Sequence, residues 1–130
     1  MDEGRVDRET ACPFLLRLFF RTGGHHSSND YPASDVVPSD ELQLYTWEDC
    51  TLRELADLIK EQRPQIRRPR CELSFAIVYP DRQGRAVVKE VGRLWVQTSS
   101  SRSTVDDTRT LHSLRFQTGD YVDVAVLGLD

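Results

Sequence analysis

Two histidines stand side by side, His25-His26, in a stretch of glycine, serine and asparagine, and Cys12, Cys50 and Cys71 are scattered singly along the chain. Imidazoles and thiols are the usual ingredients of metal centres and of nucleophilic catalysis, so these positions come first. Adjacent side chains in an extended loop diverge, and no cysteine, aspartate or third histidine stands at a recurring ligand spacing from the pair. The spacing predicts no metal there, and a loop that is solvated or touches a partner. Cys50 or Cys71 with His112 could nominally supply a nucleophile and its base, yet no local motif surrounds either cysteine, and Cys50 opens a helix where a small residue is routinely tolerated. No glycine-rich phosphate loop, Gly-x-Ser-x-Gly elbow or His-Glu-x-x-His is present. The reading is a protein with no catalytic residue, no metal and no cofactor, which leaves binding.

The binding candidates are aromatic and basic. Tyr45 lies on the strand face opposite Leu44, and Trp47 sits where a strand becomes a helix, as core or as an exposed anchor; such aromatics are favoured hot spots. Residues 63 to 70 hold Arg63, Arg67, Arg68 and Arg70, either a solvated connection off the helix end or a patch for an acidic peptide or RNA. His25, His26 and Tyr31 from the long loop, Tyr45 and Trp47 as anchors, and Arg67 and Arg68 as a charged rim form the expected protein-binding set. Ser103-Thr104-Val105-Asp106-Asp107 has the pattern of an acidophilic phosphorylation site.

The elements that must position these residues are legible from hydrophobic period. Leu42 and Leu44 alternate with Gln43 and Tyr45 as in a strand; from Leu52 onward Leu52, Leu55, Ala56 and Ile59 repeat at helical spacing. Thr51 and Glu54 fit a capping box, and Arg63-Pro64 ends the helix, so one main helix is expected over about 50–62. Burying its three large aliphatics contributes roughly 5–9 kcal/mol as an upper bound. Phe14 to Phe20 reads as a central strand, Leu73 to Tyr79 as another with Leu73, Phe75, Ile77 and Tyr79 on one face, and Pro80 to Gly84 as the turn of a hairpin returning from Ala86. Tyr121 to Leu127 is a last strand with Val122, Val124 and Val126 inward. Residues 1–11 hold charged residues and a single large aliphatic, Val6, and are expected to be a disordered leader; 12–130 form one domain with long loops at 21–40 and 97–110. Tyr31, Val36 and Val37 are candidates to tie the first loop down.

The order β, β, α, β, β, irregular, β predicts an α+β fold, a ubiquitin-like β-grasp with a mixed sheet of about five strands and the first and last strands central. A ferredoxin-like sheet is the alternative, and needs a second helix that only Asp107 to Leu114 could supply. The chain has 130 residues and a net charge of −4, which disfavours general attraction to phosphate backbones. Single, dispersed cysteines without an apolar N-terminal segment imply a reducing compartment, and the longest apolar run, Phe14 to Phe20, is interrupted by Arg17 and too short to span a bilayer.

The run Leu42-Gln-Leu-Tyr-Thr-Trp-x-Asp-x-Thr-Leu-x-Glu-Leu resembles the family of the Sin-three-associated polypeptide of about eighteen kilodaltons. So do Cys12-Pro13-Phe14-Leu15-Leu16-Arg17, His25-His26, Val37-Pro38-Ser39-x-Glu41-Leu42, Phe75-Ala76-Ile77-Val78, Val88-Lys89-Glu90-Val91-Gly92, Asp106-Asp107 and Phe116-Gln117-x-Gly119-Asp120-Tyr121-Val122-Asp123-Val124-Ala125, in order and over about 12–127. The resemblance implies a ubiquitin-like, non-enzymatic nuclear subunit, monomeric when isolated, found also in nuclear speckles and partly in the cytoplasm. Its implied partners are the Sin-three histone-deacetylase corepressor and, at the exon junction complex in mRNA splicing, an Acinus- or Pinin-type protein with an RRM-containing splicing regulator, RNA being reached mainly through them. The Trp95 to Thr104 region is longer and richer in serine than the family pattern, and a proline- and arginine-rich tail is missing. Three rivals predict other observations: a ubiquitin-like modifier needs a diglycine end that Val126-Leu127-Gly128-Leu129-Asp130 lacks, an RNA-binding domain needs paired aromatics on central strands, and a hydrolase needs Cys50 or Cys71 activated.

Overall fold

The apolar alternation of the sequence becomes a five-stranded sheet in the order β2-β1-β5-β3-β4, built from β1 (Phe14–Thr22), β2 (Glu41–Thr46), β3 (Glu72–Pro80), β4 (Ala86–Trp95) and β5 (Tyr121–Leu127). The computed structural model describes residues 6–33, 36–97 and 101–129. β1 and β5 are parallel neighbours and every other pairing is antiparallel, so the first and last strands lie inside the sheet as a β-grasp requires. With α1 (Leu52–Gln62), the one α-helix among the described residues, across one face, the fold is the expected α+β, ubiquitin-like one. The candidate for a second, ferredoxin-like helix, Asp107 to Leu114, instead falls in a 3-10 turn at Val105–Thr108 followed by turns, because two leucines three apart bury too little to hold a helix.

α1 buries Leu52, Leu55, Ala56 and Ile59 against Leu16, Leu18 and Phe20 of β1, Val122, Val124 and Val126 of β5, and Leu73 and Phe75 of β3. Thr51 is its N-cap and accepts a hydrogen bond from the Glu54 backbone N–H at 3.0 Å, so the helix starts at Leu52, two residues later than Cys50. The reciprocal half of the box does not form, since the Glu54 carboxylate is taken by Arg8 at 2.7 Å. Pro64 ends α1 as expected and continues into a 3-10 turn, Pro64–Ile66, whose Ile66 is buried.

The other face of the sheet is roofed by the long loop after β1. That strand runs to Thr22, into the stretch read as loop, and Gly23, at φ 90°, turns the chain back with its N–H on the Val126 carbonyl at 2.9 Å. Tyr31 and Val37 then pack with Phe19, Val78 and Tyr121 in a second, smaller core. Val36, expected to help, is exposed; its neighbour Val37 takes the inward position. From Val6 on, the segment expected to be a disordered leader lies against the start of α1, since the expectation counted apolar area and not the ion pairs of Arg8 with Asp49 and Glu54, both at 2.7 Å. Residues 1–5, 34–35 and 98–100, which include parts of the leader and of both loops, lie outside the described residues.

Candidate functional site

His25, His26 and Tyr31 come together on a residue the sequence did not single out. Asp123 stands in the middle of β5, on the face away from α1, and is fully buried. His25 Nδ1 donates to its Oδ1 at 2.8 Å, His26 Nδ1 to Oδ2 at 2.6 Å, the His26 backbone N–H to Oδ1 at 3.2 Å and the Tyr31 hydroxyl to Oδ2 at 2.5 Å. The premise that adjacent histidines diverge fails here, because a carboxylate below the loop offers one oxygen to each ring. Burial alone would raise the Asp123 carboxyl, but the hydrogen bonds from His25, Tyr31 and His26 together outweigh it and hold the pKa below the ordinary carboxylate value. Burial first, and then the bond to Asp123, pushes the Tyr31 phenol well above its usual range, so it remains a donor.

The same chain continues to the next strand. His25 Nε2 lies 2.8 Å from Ser74 Oγ, and that hydroxyl donates to Glu90 Oε2 at 2.5 Å. Aspartate, histidine and serine thus stand in the order used by hydrolases, but Ser74 is buried on β3 and its proton is committed to Glu90, so it presents no nucleophile. Chemically the cluster is a strut: four donors on one buried anion lash the loop to the sheet. His25 and His26 keep only 18% and 13% of their side-chain surface exposed, and Tyr31 is buried.

Tyr45 is different. At 69% exposed it is the most open large aromatic of the described residues, and its cross-strand partner on β1, Leu15, is 38% exposed beside it. β2 ends the sheet. The Phe20 N–H donates to the Asp40 carbonyl, which fixes Leu18–Leu42, Leu16–Leu44 and Phe14–Thr46 as the hydrogen-bonded pairs of the β1–β2 ladder. The backbone groups of Glu41, Gln43 and Tyr45 therefore point away from β1, into the open edge. Trp47, just beyond, is half-buried: its Nε1 donates to the Ala11 carbonyl at 2.9 Å and the Arg8 guanidinium lies over the ring at 4.9 Å from the centroid.

Of the basic connection, Arg63 is engaged with Asp40 at 2.6 Å and stacks on Phe20. Arg67 donates to the Lys60 carbonyl at the end of α1 and is exposed, as is Arg68. Arg67 and Arg68 thus form a solvated patch apart from the Tyr45 edge. Thr104, in the suspected phosphorylation motif, caps the 3-10 turn, its backbone N–H donating to the buried Asp107, so that acid is turned inward rather than presented. Cys50 and Cys71 are buried, which raises their thiols to about 12 and about 11; Cys12 is exposed. His112 faces Glu48 at 3.6 Å. No group of three or more metal-ligating side chains occurs among the described residues.

Sequence reasoning missed Asp123, Arg8 and Leu15. Only the first left a signal, a carboxylate placed mid-way in the apolar run Tyr121-Val122-Asp123-Val124-Ala125-Val126-Leu127, where burial without donors would be prohibitive. The comparisons with known proteins agree with one another. The family model for Sin3 associated polypeptide p18 (SAP18) matches residues 5–126. The chain is 50% identical over 121 residues to an Arabidopsis thaliana protein named histone deacetylase complex subunit SAP18, covering 93% of this chain and 78% of that one. It is 46% identical over 126 residues to the Homo sapiens protein of the same name, covering 95% and 79%, and 39% identical over 123 residues to that of Drosophila melanogaster, covering 94% and 79%.

Proposed function

The chain belongs to the Sin3 associated polypeptide p18 family, and from that premise we propose that it is a non-enzymatic adaptor subunit of a nuclear histone-deacetylase corepressor complex of the Sin3 type. The observation that carries the mode of action is the open β2 edge with Tyr45 exposed over Leu15. An extended partner segment pairs with the outward backbone groups of Glu41, Gln43 and Tyr45, and the Tyr45–Leu15 surface takes one of its side chains. Main-chain pairing gives affinity, and the side-chain surface gives specificity. Tyr45 is the anchor and Trp47 holds the end of the strand. His25, His26 and Tyr31 act by keeping the loop in place, and Arg67 and Arg68 serve as a separate charged rim.

The finer part of the reading is that the same edge takes an Acinus- or Pinin-type segment, over which an RRM-containing splicing regulator closes, so that the protein also serves mRNA splicing at the exon junction complex. The ordered resemblance across about 12–127 supports it, and the net charge of −4 fits RNA being reached through partners.

Gln43→Pro is the sharpest test, because a proline on an edge strand with its nitrogen outward removes one donor and spares the ladder to β1. We expect Gln43→Pro and Tyr45→Ala to remain folded by circular dichroism, and each to lose most of the deacetylase activity that co-purifies with the tagged protein from nuclear extract. Undiminished recovery with Gln43→Pro would remove the edge from the mechanism. Light scattering of the chain alone, then mixed with an Acinus- or Pinin-type peptide and the RRM, should give a monomer and a 1:1:1 species.

A further inference from the structure

At the opposite side of the sheet from β2, the β3–β4 hairpin leaves a cavity of about 380 Å³ with a floor of Ile77, Tyr79, Val91 and Leu114. It lies on the α1 side, between the strands and the segment that leads into β5. Two cations line it, Lys89 and Arg115, both exposed, and neither has an ion-pair partner among the described residues. The single carboxylate there, Asp120, forms no ion pair with either of them among the described residues. It accepts the Gln117 backbone N–H at 3.0 Å, and burial raises its pKa above the ordinary carboxylate value.

Arg115 is also the one described residue other than glycine with positive φ, 64°. It ends a helical turn in which Leu114 N–H donates to the Thr110 carbonyl and Phe116 N–H to that of Leu111, both at 3.0 Å. Glycine is the ordinary residue at such a position, since it has no Cβ to strain. Here a long cationic side chain holds that conformation at the mouth of the cavity, at a conformational cost.

We propose that this cavity docks an acidic segment of a partner protein, with a carboxylate against Lys89 and Arg115 and an adjacent aliphatic or aromatic side chain on the floor. The apolar floor speaks against a polyphosphate chain, which has nothing to place on it. With the β2 edge occupied by one partner, a second site at the far side of the sheet lets the domain bridge two chains.

The test titrates isotope-labelled full chain with two synthetic dodecapeptides that share leucine and phenylalanine and differ in charge, one rich in aspartate and glutamate and the other in lysine. The acidic peptide should shift the methyl signals of Ile77, Val91 and Leu114, and the basic one should not. Arg115→Gly relieves the backbone and should raise the melting temperature while weakening the acidic peptide about three- to fivefold, with Lys89→Glu weakening it further. Gln43→Pro should leave this binding unchanged, which separates failure here from failure at the β2 edge. Normal binding by Arg115→Gly, shifts confined to other surfaces, or tighter binding of single-stranded RNA at the same methyls would each overturn the proposal.

Discussion

Asp123 is the residue on which the roof of the sheet depends. A fully buried carboxylate is costly in isolation, and here two imidazoles, a phenol and a backbone N–H offset that cost. Replacing it with alanine leaves those donors facing an empty, dry space. Asp123→Ala should therefore lose about 3–5 kcal/mol in urea unfolding at pH 7, the range for breaking a buried charged network by removing one partner. The pH dependence has a definite sign. Because the folded pKa is lowered, the stabilisation is complete above the unfolded value of about 3.9 and is lost as pH falls through the lower folded value. The gap between wild type and Asp123→Asn should accordingly hold down to about pH 4 and narrow below it; a gap constant to pH 2 would mean that the carboxylate charge contributes nothing. Cysteine reactivity follows from burial in the same way. With Cys50 and Cys71 buried and their thiols raised to about 12 and about 11, a thiol reagent at pH 8 should label Cys12 rapidly and the other two only on unfolding, counted by mass.

At the scale of elements, what could be read from the sequence was what has a period. Leu52, Leu55, Ala56 and Ile59 could only be one helix face, and Thr51 its cap, so Thr51→Ala should cost about 1 kcal/mol by thermal melting. The alternations in β2, β3 and β5 placed the strands and their inward faces within a residue or two. The roof over the second face was not legible, since the loop that makes it has no period: its order comes from polar contacts of His25, His26 and Tyr31 with a residue some hundred positions away. The fit of Arg8 to Asp49 and Glu54 escaped for the same reason, because ion pairs across the fold leave no local pattern. A further element-scale constraint sits at the end of β5. Gly128 holds φ 76°, and a Cβ there would run into the Arg70 backbone carbonyl, so Gly128→Ala should be clearly more destabilising than the roughly 1 kcal/mol typical of point mutations.

Taken whole, the molecule has a sheet with both faces covered and its two edges left to other uses. α1 packs on one face and the loop after β1 on the other, which leaves β2 as a short edge with an exposed aromatic, a feature that proteins ordinarily blunt. Ion pairs along it are sparse; Glu41 is held by Arg17, and Gln43 and Tyr45 follow. If that edge awaits a partner strand, the amide protons along β2 must report it one by one. In the free chain Leu42, Leu44 and Thr46, bonded to β1, should exchange slowly with deuterium, while Gln43 and Tyr45 exchange at nearly the rate of an open chain. Adding the partner should slow Gln43 and Tyr45 by orders of magnitude and barely change the other three, because only the outward groups gain acceptors. Slowing of all five alike would indicate general tightening of the domain, and slowing of none would place the partner on side chains alone. The alternating pattern is the expected signature of a strand added to this edge.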